Sequence, residues 1–186
     1  MRGAWLCVGV VLALLVGQPV AAQPLQRVGE RLLQAAAPWC GSFSDLDVQG
    51  VRRCTLRIAA LQMGGAGNAH AFFTASVVAD RLVEQLDDAE LALVLGHEVA
   101  HIVLGHMLAG LRAAGADARA LDLVATLAPL PHAGTPTAPH TLELDADALG
   151  LVFAGLAGYP LAAAPRLWRE RLPALGVATA ASSSHP

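Results

Sequence analysis

The sequence contains no lysine: all twelve basic residues are arginine, and charged residues of both signs make up only 15% of its 186 residues. With a net charge of −3 and no run of like charges, the chain has no electrostatic footprint for a phosphate backbone or an anionic lipid surface. Nucleic acid is therefore not an expected partner. Aromatic residues are equally scarce, at 4%, with Tyr159 the single tyrosine, and no internal repeat is evident. What is abundant is apolar: 55% hydrophobic residues suit one domain with a substantial core.

Arg2 precedes an apolar stretch from Ala4 to Val16, followed by Gly17, Gln18, Pro19 and the small residues Val20, Ala21 and Ala22. This pattern predicts a secretory signal peptide over residues 1–22, cut after Ala22, with residues 23–186 forming a single exported domain. The stretch is too short to span a bilayer comfortably. Cys7 lies inside it, not after it as a lipid-anchor cysteine would. Export leaves Cys40 and Cys54 in an oxidising compartment, where they are expected to form a disulfide. The chain-entropy model gives such a loop about 3 kcal/mol of tethering. A metal site on these two thiolates lacks a second ligand pair beside them.

Leu25, Val28, Leu32 and Ala36 recur at helical intervals, predicting an amphipathic helix over 24–37 that Pro38 stops. A loop follows over 39–50. Cys54, Leu56 and Ile58 alternate with Arg53, Thr55 and Arg57, the period of a half-buried strand within 51–61. Gly64, Gly65 and Gly67 then turn the chain into a second short strand, 69–74, a hairpin whose outer edge stays exposed. The spacing of Val77, Val78, Leu82 and Leu86 is helical. Asp87 and Glu90 form a capping-box start to a further helix reaching about Ala114, apolar nearly all round and hence buried. Pro129, Pro131, Pro136 and Pro139 punctuate a loop. Helices are expected over 141–156 and 162–172, separated by Gly158, Tyr159 and Pro160. Residues 148–165 are apolar enough to suggest a membrane span, but Gly155, Gly158, Pro160 and the preceding acids fit a buried helix-turn-helix better. The fold class is α+β, mostly helical, with a small β-hairpin or sheet beside the long buried helix.

A buried helix must partner its polar residues, here His97, Glu98, His101 and His106. His97 to His101 spell HExxH, which places two imidazoles on one helical face and a carboxylate between them. Both rings can reach one ion while Glu98 handles a proton of water. Catalytic zinc takes three protein ligands and keeps a fourth position open, and Glu143 is the candidate third ligand. Asp147, one turn further on, can accept the second ring N–H of His97 or His101. Asp145 points about 200° away and is the weaker candidate. His106 is expected on another face as a packing or supporting residue, and His70, His132 and His140 in exposed or loop positions. The bland alternatives are two core histidines in a buried helix and a solvated acidic first turn.

The stretch from Gly67 through His106, the ExxAD pattern from Glu143 with Ala148, Leu149 and Gly150 after it, and Gly158, Tyr159, Pro160 together resemble the gluzincin metallopeptidases of the HtpX and CAAX prenyl endopeptidase family, and most of all its small exported bacterial branch of periplasmic quality-control proteases. The resemblance implies a zincin-like fold and one zinc ion per chain on His97, His101 and Glu143. It also implies a substrate-binding edge strand opened by Asn68 and Ala69 and continued by Ala71 and Phe73, on which a peptide adds by β-augmentation. His185, in the terminal Ser184, His185, Pro186, matches an element that lies near the metal in the family. There it either blocks the open position or stabilises the tetrahedral intermediate, the plain alternative being a frayed terminus.

The expected activity is endopeptidase cleavage with Glu98 as general base, in the periplasm or peripheral to the outer membrane, with no stable transmembrane segment after signal cleavage. Expected partners are polypeptide substrates, among them outer-membrane protein precursors and their assembly machinery. A zinc-stabilised chaperone or assembly factor with little or latent proteolysis is the alternative, and a site closed permanently by His185 would favour it. Tyr159 is read as a turn residue packed on the core, with polarisation of a scissile carbonyl as its other possible role.

Overall fold

A computed structural model of the chain describes residues 22–40, 57–61, 68–71, 75–106, 115 and 140–177. The signal segment, Cys54, Phe73, His132, the proline-punctuated loop and His185 lie outside these residues. The first helix, α1 (Ala22–Ala36), buries Val28, Leu32 and Ala36 and runs into a 3-10 turn, Ala37–Trp39, that carries Pro38 near its start. Arg27 on its solvent side grips Asp88 with two hydrogen bonds, 2.8 and 2.7 Å.

Three strands follow, β1 (Arg57–Leu61), β2 (Ala69–Ala71) and β3 (Ala75–Ala79). Their order is β1-β3-β2, with β1 parallel and β2 antiparallel to β3. The expected hairpin between the first two strands is thus corrected: β1 and β2 do not pair, and β3 lies between them. Residues 75–79 had looked helical because Ser76, Val77, Val78 and Ala79 are all buried. A strand covered on both faces loses the alternation that identifies strands in sequence.

Helix α2 (Asp80–Gln85) leads to α3 (Asp88–Val103) through the expected cap: the Asp87 carboxylate accepts from the Glu90 N–H at 2.8 Å, and the Glu90 carboxylate from the Asp87 N–H at 3.2 Å. Glu90 is buried and also receives Arg171 Nε at 3.3 Å, while Arg171 Nη2 caps the Gln85 carbonyl at 2.7 Å. Leu91, Leu95, Val99 and Ala100 are fully enclosed, as a helix without a polar face requires. The helix stops at Val103, short of the expected Ala114. Gly105 takes φ +69°, a left-handed conformation that ends a helix readily in glycine, and the chain turns there.

Helix α4 (His140–Leu156) packs on α3 more extensively than any other pair of elements among the described residues. His140 begins this helix, and His70 lies in β2, so neither is a loop residue. The chain then turns at Gly158 (φ +83°) into α5, an irregular helix of a 3-10 turn Leu161–Ala163, an α-turn Ala164–Arg166, a π-helical stretch Leu167–Arg171 and an α-turn Leu172–Ala174. One apolar cluster joins these elements, from Val28 of α1 through α3 and Phe153 of α4 to Leu167 and Leu172 of α5.

At the crossing of α3 and α4 the backbones touch. A Cβ on Gly96 would stand 2.8 Å from the Gly150 carbonyl oxygen, and one on Gly150 would stand 2.7 Å from the His97 nitrogen. Only glycine permits that approach. We expect Gly150→Ala to push the helices apart and cost about 1–3 kcal/mol or more in denaturant unfolding. Gly155→Ala, whose Cβ would meet only Leu161 at 3.5 Å, is the control. It should be neutral or stabilise by up to about 1 kcal/mol through helix propensity. Equal effects of the two would contradict the crossing.

Candidate metal centre

Gly150, Asp147 and Glu143 are three and seven residues apart, so they share the face of α4 turned to α3. The glycine contact therefore sets the distance at which the two acids meet α3. His97 Nε2 lies 3.0 Å from His101 Nε2 and 3.3 Å from Glu143 Oε2, and His101 Nε2 lies 3.5 Å from the same oxygen. Three ligand atoms on a tetrahedral ion with bonds of about 2.0–2.1 Å are about 3.3 Å apart. The observed triangle fits such an ion.

The chemistry of the donors agrees. Two neutral imidazoles cannot both aim lone pairs at each other across 3.0 Å, so either a ring hydrogen or a metal ion lies between the two nitrogens. Among the described residues His97, His101 and Glu143 form the one group able to hold a metal. Asp145 is exposed and outside this group, as its angular position predicted.

Asp147 lies beside His97, its Oδ1 2.8 Å from His97 Nδ1. Burial disfavours a charged His97, but hydrogen bonds to Asp147 and Glu143 and the charge of nearby Glu98 outweigh it, so its pKa is pushed up to about 10. Burial likewise opposes ionisation of Glu143, and hydrogen bonds from His101 and His97 overcome it, holding its carboxyl well below the usual range. The metal-free site is thus an imidazolium clamped between carboxylates.

His106 was expected on another face. Because α3 ends at the Gly105 turn, it instead folds back, and its Nδ1 lies 2.9 Å from Nδ1 of His101. It is buried, and burial together with the neighbouring His101 pushes its pKa down to about 4. Two further contributors escaped the sequence reading. Trp168, in the π-helical stretch, sets its ring 5.7 Å from that of His97 and walls the site on the α5 side. Gly96 and Gly150 stand within the stretches that carry the family resemblance, but nothing in the sequence gives them a packing role. Tyr159 is buried with the Arg31 guanidinium 4.9 Å from its ring centre, in keeping with a packing role.

Asn68 and Ala69 stand at the start of β2, opposite the end of β3: the Asn68 carbonyl accepts from Ala79 N–H at 2.9 Å and its side-chain oxygen from Ala69 N–H at 2.9 Å. Ala69 and Ala71 belong to β2, an edge strand among the described residues that packs against α3. Glu98 follows His97 on α3 and is half-buried.

The raised His97 pKa has a defined sign. Stability from its pairing is present below its ordinary pKa of 6.5 and is lost as pH rises toward about 10, while that from Glu143 is lost as pH falls below its ordinary 4.5. Metal-free protein should therefore be most stable between those ordinary values and weaken on the alkaline side. Metal loading at pH 7 must displace the His97 proton, releasing about one proton per ion. Calorimetry in buffers of different ionisation enthalpy reads this number, and release near zero would contradict the assignment. Asp147→Ala should weaken metal binding by about 10–100-fold in a chelator competition.

The sequence model of peptidase family M48 matches residues 56–186, which contain the whole of this site. No curated protein and no solved structure matches the chain. A metal-fitting triad on two helices inside a family match covering most of the sequence leads to one conclusion: the chain belongs to peptidase family M48, a family of metal-dependent peptidases.

Proposed function

We propose that the chain is a zinc endopeptidase of the gluzincin type, similar to the HtpX and CAAX prenyl endopeptidase branch, that cleaves unfolded or misassembled polypeptides in the bacterial envelope. The observation that carries this reading is the convergence of His97, His101 and Glu143 with Glu98 on the same helix. A purely structural site has no use for an unligated carboxylate between two ligands.

Zinc, when bound, supplies the Lewis acidity that makes water nucleophilic near neutral pH and polarises a carbonyl. Glu98 takes the proton that the attacking water loses and returns it to the departing amine, acting first as base and then as acid. Glu143 and Asp147 balance the cationic charge in a half-buried site, and Asp147 keeps the proton of His97 on Nδ1, leaving Nε2 free to coordinate. The edge of β2, unpaired among the described residues, suits an extended peptide, which would gain main-chain hydrogen bonds along Ala69 and Ala71, with Asn68 fixing the start of the strand.

The envelope location rests on the proposed leader over residues 1–22 and on the proposed pairing of Cys40 with Cys54. A disulfide between these two cysteines would fit an oxidising compartment. No described helix is long and apolar enough to cross a membrane. His185 is proposed to approach the fourth coordination position as a regulator or transition-state donor, and outer-membrane precursors are the proposed substrates.

Glu98→Gln should retain one zinc per chain by elemental analysis and lose at least about 100-fold in kcat on unfolded casein. His97→Ala and Glu143→Ala should lose both metal and turnover. Full proteolysis by Glu98→Gln, or by chelator-treated protein, would sink the proposal.

A further inference from the structure

Both ring nitrogens of His101 are engaged. Nε2 faces the ligand set, 3.0 Å from His97 Nε2 and 3.5 Å from Glu143 Oε2, while Nδ1 points the other way, 2.9 Å from Nδ1 of His106. Two ring nitrogens at that separation share one hydrogen, and the role of Nε2 decides which of them holds it. An imidazole that gives its Nε2 lone pair to a cation carries its hydrogen on Nδ1. His101 Nδ1 then donates, His106 Nδ1 accepts, and the hydrogen of His106 itself sits on Nε2.

We infer that His106 is a positioning residue for the metal centre, its Nδ1 accepting the Nδ1–H of His101 and so fixing that ligand's tautomer and ring plane as Asp147 does for His97. The inference rests on the metal-site reading of His97, His101 and Glu143.

Backbone, burial and charge converge on it. A continuing helix would carry the residue five beyond His101 about 140° around the axis. The left-handed Gly105, φ +69°, removes that rotation and brings His106 back under the ring. His106 is only 9% exposed, and a buried polar ring requires a hydrogen-bond partner, which among the described residues is His101. The two rings stand edge to face, 77° between planes and 5.0 Å between centres, so the contact also restrains rotation of the ligand ring. A neutral acceptor suits this side of the site, because Glu143, Asp147 and Glu98 already place three carboxylates around one divalent ion. A fourth would leave excess negative charge half-buried.

The test compares His106→Leu, which fills the space without an acceptor, with His106→Gln, whose side-chain carbonyl can accept. Zinc affinity is measured by competition with a chromophoric chelator, and the thermal midpoint of the metal-free protein is followed in parallel. His106→Leu should bind zinc about 10–100-fold more weakly and His106→Gln should recover most of that loss, while the two metal-free midpoints stay close to each other. Unchanged affinity in His106→Leu, or equal weakening in both variants, would overturn the inference and leave the metal site standing. Long-range 15N–1H spectra of zinc-loaded wild-type protein decide the matter even if the variants fail to fold. Hydrogen on Nδ1 of His101 and on Nε2 of His106 is the expected pattern, and hydrogen on Nδ1 of His106 contradicts it. Wild-type protein that binds no zinc removes the metal site and this inference together.

Discussion

The contact between Gly96 and Gly150 is the constraint on which the site depends. Helices usually pack 8–10 Å apart because side chains intervene. Here the peptide groups of α3 and α4 meet directly, the space for a Cβ on either helix being filled by backbone atoms of the other. Nothing flexible lies in that contact to take up slack. The position of Glu143, two turns before Gly150, and of His97, next to Gly96, follows from rigid helical geometry. Short carboxylate and imidazole side chains can then converge on one small ion from two separate helices.

Burying that constellation in an apolar helix creates a polar problem that the fold resolves locally. Each candidate ligand histidine can offer one nitrogen to an ion and has another that must be satisfied inside the protein. Asp147 on α4 serves His97, and His106, returned by the Gly105 turn, faces His101. The same logic applies at the start of α3, where Glu90 is buried yet engaged by Asp87 N–H and Arg171. That ion pair ties α5, which carries Trp168, to the helix that carries the ligands. Support for the site thus comes from three helices, and the π-helical stretch Leu167–Arg171 directs Trp168 toward His97 as well as Arg171 toward Glu90.

The site was legible where its chemistry is local in sequence. HExxH needs only one helical turn to acquire meaning, and the four-residue spacing of Glu143 and Asp147 likewise put a candidate ligand and a neighbouring acid on one face. The mostly helical α+β class and the Asp87 cap were readable for the same reason. Long-range facts were not. β3 was hidden because Ser76 to Ala79 are buried on both sides, which erases the strand period, and its insertion between β1 and β2 depends on pairing that no local pattern encodes. The end of α3 was missed because apolar spacing continues past Gly105, and that error alone misplaced His106. Gly150 belongs to the motif that carries the family resemblance, but the sequence does not reveal its packing role. Its importance comes from what lies opposite, fifty-four residues earlier in the chain at Gly96.

Anomalous diffraction from crystals of the zinc-loaded protein, recorded on either side of the metal absorption edge, tests the central claim most directly. The account predicts a single peak per chain bonded to His97 Nε2, His101 Nε2 and Glu143 Oε2 at about 2.0–2.2 Å, with no fourth protein ligand from α3, α4 or α5. A peak on other residues, or none at this triangle in crystals shown to contain zinc, would contradict it.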